Sequence, residues 1–219
     1  MALTKYNYNS FNVTPVAGAA LAFDADADGF STVASTSMVL IKTLTASSSS
    51  TLALVNGSAD VVLDSTYPVY RFVFINCLPA NDGVKFLYSF SNDTGSSYDV
   101  TKTSTNFYAG HLENDSATGF GFDSGLAQSG DYAFGTVGAI GSAADEGCSG
   151  EMFLFNPSST TFVKQFFGRV TICGSNPQSQ ITYTGGYCNT TAAIDAASFK
   201  FESGAIASGT IKMYGIKDS

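Results

Sequence analysis

This chain predicts an all-β fold, a two-sheet antiparallel sandwich, and three observations carry that expectation. Charged residues make up only 13% of the 219 residues, whereas Phe numbers 18, Tyr 11 and Gly 22. Helical proteins need far more Glu, Lys, Arg and Leu than this, so the composition favours strands and small polar turns. Short runs of alternating apolar and polar residues recur along the chain, separated by Asn, Asp, Gly and Ser clusters. No run shows a sustained helical period. Antiparallel sandwiches of this length form one domain, and such a chain hides roughly 70% of its extended-chain surface on folding.

The elements follow in order. Residues 1–36 predict an N-terminal arm or an irregular first strand, and residues 37–219 the sandwich itself. Ser37 to Thr45, Thr51 to Val55 and Val61 to Leu63 predict short strands, parted by a serine run and by Asn56-Gly57. Pro68 to Leu78 reads PVYRFVFINCL, with Tyr70, Phe72 and Phe74 on one face and Val69, Val73, Ile75 and Cys77 on the other. Both faces are apolar, which predicts a central strand covered on both sides. After the Asn81-Asp82-Gly83 turn, Val84 to Ser91 alternates, with Val84, Phe86, Tyr88 and Phe90 sharing a face. Residues 109–149, dense in Gly, Ala, Ser and Asp, predict long loops with short strands at best, and long loops in compact domains are often functional. Glu151 to Phe155, Phe162 to Cys173, Gln180 to Thr184, Ser198 to Glu202 and Gly209 to Lys217 complete the strands, and Ala192 to Ala197 fits one helical turn.

Charge and targeting signals bound the function. A formal net charge of −8 and ten scattered Lys and Arg argue against a nucleic-acid partner, which needs clustered cations. No apolar leader core and no run of 18 apolar residues is visible, so neither a signal peptide nor membrane insertion is expected. The sequons at Asn12, Asn56, Asn92, Asn114 and Asn189 then read as by-products of composition. Cys77, Cys148, Cys173 and Cys188 have no zinc spacing and read as free, mostly buried thiols.

Catalytic constellations are weak. His111, the single histidine, sits in a polar stretch, and Gly147-Cys148-Ser149-Gly150 resembles a nucleophile turn only loosely. A nucleophile needs a base and an orienting carboxylate converging on it, and no such set is legible. Nor does any pair of carboxylates suggest glycan hydrolysis. The chain therefore reads as a non-enzyme. The sharpest motif is Asp24-Ala25-Asp26-Ala27-Asp28-Gly29, the DxDxDG opening of a calcium loop, with Asp24, Asp26 and Asp28 as candidate ligands. Ser35 stands where an EF-hand needs its bidentate Glu, so calcium is the candidate ion but an EF-hand is not expected. Tyr6, Tyr8, Tyr98, Tyr108, Tyr132, Tyr183 and Tyr187, in or near predicted loops, are candidate anchors for contacts with protein or sugar.

Gly150 to Val170 (GEMFLFNPSSTTFVKQFFGRV), Ile194 to Glu202 (IDAASFKFE), Ser203 to Lys217 (SGAIASGTIKMYGIK) and the hairpin Tyr70 to Asp99 form a recurrent pattern. Together they resemble the small jelly-roll virion structural proteins of tailed bacteriophages, marine ones especially. The closing SGTIKMYGIK strand is the most recognisable piece. The resemblance spans roughly residues 68–217, and its motifs mark turns and strands, with no catalytic residue among them. It implies a jelly-roll sandwich in the virion, made in the host bacterial cytoplasm. It also implies a capsid decoration or accessory role, with a tail-appendage or vertex receptor-binding module as the alternative. A tail fibre would add coiled-coil or β-helical shaft sequence, which is absent. The partners expected on this reading are the chain itself as a homotrimer, other capsid or tail proteins, and, for the alternative, host surface glycan met by the 109–149 loops.

Overall fold

The computed structural model describes residues 20–23, 30–33, 37–123 and 128–218. The chain divides into two compact units, Met1–Val39 and Leu40–Ser219. Within the first, β1 (Ala20–Phe23) and β2 (Phe30–Val33) form an antiparallel hairpin.

The second unit continues β3 (Met38–Thr45) into β4 (Leu52–Val55), β5 (Val69–Pro79), β6 (Phe86–Ser91), β7 (Lys102–Leu112), β8 (Thr118–Asp123) and β9 (Gln128–Ser129). It ends with β10 (Ala133–Phe134), β11 (Gly147–Phe155), β12 (Lys164–Cys173), β13 (Gln178–Cys188), β14 (Ala196–Phe201) and β15 (Ile206–Ile216). No helix occurs among the described residues. The strands make a nine-stranded sheet, in the order β3-β15-β5-β11-β12-β13-β7-β8 with β9 also on β7, and a four-stranded sheet, β10-β6-β14-β4. The chain passes repeatedly from one sheet to the other: β3, β5, β11 and β15 lie in the large sheet, and β4, β6, β10 and β14 in the small one. Every pair with an assigned register is antiparallel.

Aromatic side chains fill the space between the sheets. Phe72 and Phe74 of β5 meet Phe199 of β14 with ring centroids 5.5 and 5.2 Å apart, and Phe74 meets Phe86 of β6 at 5.0 Å. Phe166 of β12 contacts Tyr88 and Phe90 at 5.7 and 5.5 Å. Leu54, Met152, Leu154, Ile211 and Met213 close the same core. Such edge-on and tilted ring pairs add to the stabilisation from buried area.

Several expectations change. Val61 to Leu63 is no strand, although both end residues are buried. Residues 192–197 form no helical turn, and β14 begins at Ala196. The first part of 109–149 is a hairpin, because β7 runs on to Leu112 and pairs with β8 through Asn106–His111. In the described part of the rest, β9 lies on β7 and β10 on β6. Thr136 accepts the Phe86 amide at 3.0 Å, and fully buried Ile140 bridges both Val84 and Gly174.

Candidate functional site

Strand alternation assigns the two faces of the large sheet. Gln180, Thr182 and Thr184 of β13, Phe166 and Val170 of β12, and Met152 and Leu154 of β11 are buried inward. Their neighbours project outward. Register then lines up one outward row across six strands: Val73, Glu151, Arg169, Tyr183, Phe107 and Phe122. A second row runs through Tyr214, Arg71, Phe153 and Phe167.

These rows form a continuous aromatic and cationic surface. Phe153, Phe155 and Phe167 stack with centroids 5.0 and 5.7 Å apart. Tyr183 stacks on Phe107 at 4.9 Å, and Phe107 touches both Phe120 and Phe122. Phe120 and Phe122 remain 69% and 73% exposed. Between the two aromatic groups, Glu151 accepts from Arg71 Nε at 2.8 Å on one oxygen and from Arg169 Nε at 2.9 Å on the other. Nη2 of each arginine adds a second contact, at 2.7 and 2.8 Å. Paired N–H donors on one carboxylate fix geometry as well as charge. Arg71 also lies over the Phe153 ring at 5.7 Å. A shallow groove of about 410 Å3 follows this line, between Arg71, Glu151, Arg169, Thr171 and Ile181.

The inward face holds a different cluster. Lys164, Cys188 and Lys102 lie side by side across β12, β13 and β7, and all three are buried. Lys102 Nζ donates to Ser89 Oγ at 2.9 Å and to the Val100 carbonyl at 2.7 Å, and Lys164 Nζ reaches the Thr190 carbonyl at 3.3 Å. Desolvation lowers the Lys102 ammonium to about 8 and pushes the Cys188 thiol up to about 12, with the lysines opposing the latter shift. Closed off from solvent, this row braces the sandwich and offers no substrate access.

The sequence candidates fall apart from one another. His111 lies on the outward face of β7, where its ring contacts Asp115 at 3.0 Å in the β7–β8 turn. Cys148 is buried on the inward side of β11, three strands away, where it meets Cys77 and not the histidine. A His111–Cys148 pair is therefore not assembled. Asp24, Asp26 and Asp28 lie outside the described residues, as do Tyr6 and Tyr8. Among the described residues no group of three or more His, Cys, Asp or Glu could hold a metal ion. Of the other tyrosines, Tyr183 and Tyr187 belong to the outward face, while Tyr132 donates to Ser198 Oγ at 3.0 Å under Lys200. All four cysteines are free thiols, three of them buried. The Arg71–Glu151–Arg169 group escaped the sequence reading because only the register of three strands brings residues 71, 151 and 169 together.

Comparison with protein-family models, curated proteins and solved structures gives no match to this chain.

Proposed function

We propose that this chain is a non-enzymatic structural protein on the surface of a tailed-phage virion. In this reading it is a jelly-roll capsid decoration or accessory protein, made in the host cytoplasm and working as a homotrimer beside other virion proteins. The observation that carries the reading is the strand order. Four strands, β3-β15-β5-β11, adjoin in the large sheet, and β4-β14-β6-β10 adjoin in the small one. Taken in chain order, these eight strands change sheet at every step except β6 to β10, the order expected of two Greek keys wrapped into a jelly roll, an architecture common in viral capsid and lectin domains. On this reading β7–β9 and β12–β13 are insertions that together widen the large sheet beyond β11. Fold alone does not fix function, so the virion assignment leans equally on the likeness of residues 68–217 to phage jelly-roll proteins. Reconstruction of intact particles tests it. The chain is expected in many copies over the shell, and its absence from purified particles overturns the proposal.

A second reading is favoured by one observation, the outward aromatic rings flanking Arg71 and Arg169. Rings and guanidinium groups also suit saccharide stacking and anion contact. A tail-appendage or vertex receptor-binding module would then hold host surface glycan on this face. Binding to intact host cells that is blocked by added surface polysaccharide, with few copies per particle, would select this alternative.

A further inference from the structure

We infer that the outward face of the large sheet, from β15 to β8, is covered in solution by a second copy of this chain in a heterologous, ring-forming contact. The inference rests on the self-association in the reading above and names the face that makes it.

Area is the first argument. Phe107, Phe120, Phe122, Phe167, Tyr183 and Tyr187 are each at least 37% exposed. Taking about 200 Å2 for a whole aromatic side chain, they leave roughly 600 Å2 of ring surface in water. That is at the upper end of the largest apolar patch on a typical monomer, about 300–600 Å2. It also approaches the roughly 800 Å2 that each partner contributes to a standard stable interface. The make-up agrees: Phe, Tyr and Arg with little Lys or Glu is the composition of an interface centre.

Charge is the second argument, and it selects the kind of contact. The outward positions of β15, β5, β11 and β12 carry Lys212, Arg71 and Arg169 against the single carboxylate of Glu151. This face is therefore cationic, on a chain whose formal net charge is −8. A two-fold contact of the face with itself would set cations against cations. A heterologous contact instead sets the cationic face of one copy on the acidic remainder of the next. Such contacts close into rings when the rotation permits.

The test is the solution mass of the full chain at micromolar concentration, by sedimentation, for wild type and two variants. Wild type is expected as a closed assembly of three or more chains. The double variant Phe120→Ser, Phe122→Ser and the charge reversal Arg169→Glu should each weaken it by about tenfold or more. Leu40→Ser, on the opposite edge strand β3, should leave it intact. Circular dichroism and thermal melting of the separated chains check that the variants stay folded. Raised salt should weaken the wild-type assembly, as charge pairing across it requires.

A monomeric wild type overturns the inference. So does an assembly indifferent to all the face substitutions, or a strict two-fold dimer. If the wild type is monomeric and outward-face amides are protected by residues 1–36, the occupant is the chain's own N-terminal unit and the proposal fails. Particle location is read separately. A ring that forms in solution while the chain is missing from virions keeps this interface and removes the virion reading.

Discussion

Cys77 and Cys148 sit directly opposite each other on β5 and β11, both buried inward, with their thiols as neighbours. Burial pushes the Cys148 thiol well up, while its contact holds the Cys77 thiol down. Opposed residues on antiparallel strands have Cα atoms about 4.5–5.5 Å apart, within the range a disulfide needs. Cys173, less buried at the end of β12, should be alkylated first in the folded protein, and the other three only after unfolding. Refolding with oxidised glutathione should give Cys77–Cys148 as the dominant disulfide. Peptide mass mapping reads both results, and equal early labelling of Cys148 would contradict the buried pair.

Lys102 makes stability depend on pH. Its folded value of about 8 lies below the ordinary 10.5 because burial disfavours the ammonium. Between those values the unfolded chain binds a proton that the folded chain lacks, so stability rises with pH across that window. Below pH 8 the folded protein carries the cost in full. Relative to Lys102→Met, the wild type should gain up to about 3 kcal/mol between pH 7 and pH 10.5. Denaturant midpoints for both proteins across that range supply the difference, and a flat difference would refute the assignment.

Phe199 ties the two sheets together through Phe72 and Phe74, and stacks on Phe86 within its own sheet. It is fully buried, so Phe199→Ala should lose about 3–5 kcal/mol of stability. Phe162, 69% exposed between β11 and β12, should change by less than about 0.5 kcal/mol on the same substitution. Urea unfolding of the two variants gives the contrast.

Glu151→Gln keeps the shape of the side chain but removes the charge that both arginines address. Two partly exposed guanidinium groups then lie close together without their shared anion. Because solvent screens this site, the expected loss is about 1–2 kcal/mol, smaller at high salt. Thermal melts in low and high salt measure it.

Glycines mark where strands run unusually close. A Cβ on Gly186 would collide with the Thr103 carbonyl oxygen on β7, and one on Gly150 with the Arg169 carbonyl oxygen on β12. Neither acceptor is a flexible side chain, so Gly186→Ala and Gly150→Ala should each force backbone shifts and cost about 1–3 kcal/mol. Denaturant midpoints equal to wild type would show that the sheet accommodates the methyl group.

Much of the sandwich was legible because strand alternation and turn chemistry are local. The Tyr70, Phe72 and Phe74 face, the Val84 to Phe90 alternation and the closing strand all emerge from residues within a few positions of one another. The polar run Lys102 to Leu112 was missed as a strand. Its buried face carries Lys102 and Asn106, so the apolar signal that marks a half-buried strand is absent.

The sequence by itself determined the fold class, the inward aromatic faces and the lack of a helical period, since each depends on near neighbours and composition. Only the tertiary structure decided which apolar faces stay open. Pro68 to Leu78 looked covered on both sides, yet Ile75 on its second face is exposed, while the left-handed backbone at Asn76 and the register shift at β11 turn Cys77 inward. Likewise, residues 71, 151 and 169 become neighbours only when β5, β11 and β12 pair in register. The physical reason is that a strand's pattern fixes which residues share a side, whereas the register and packing of distant strands fix what that side meets.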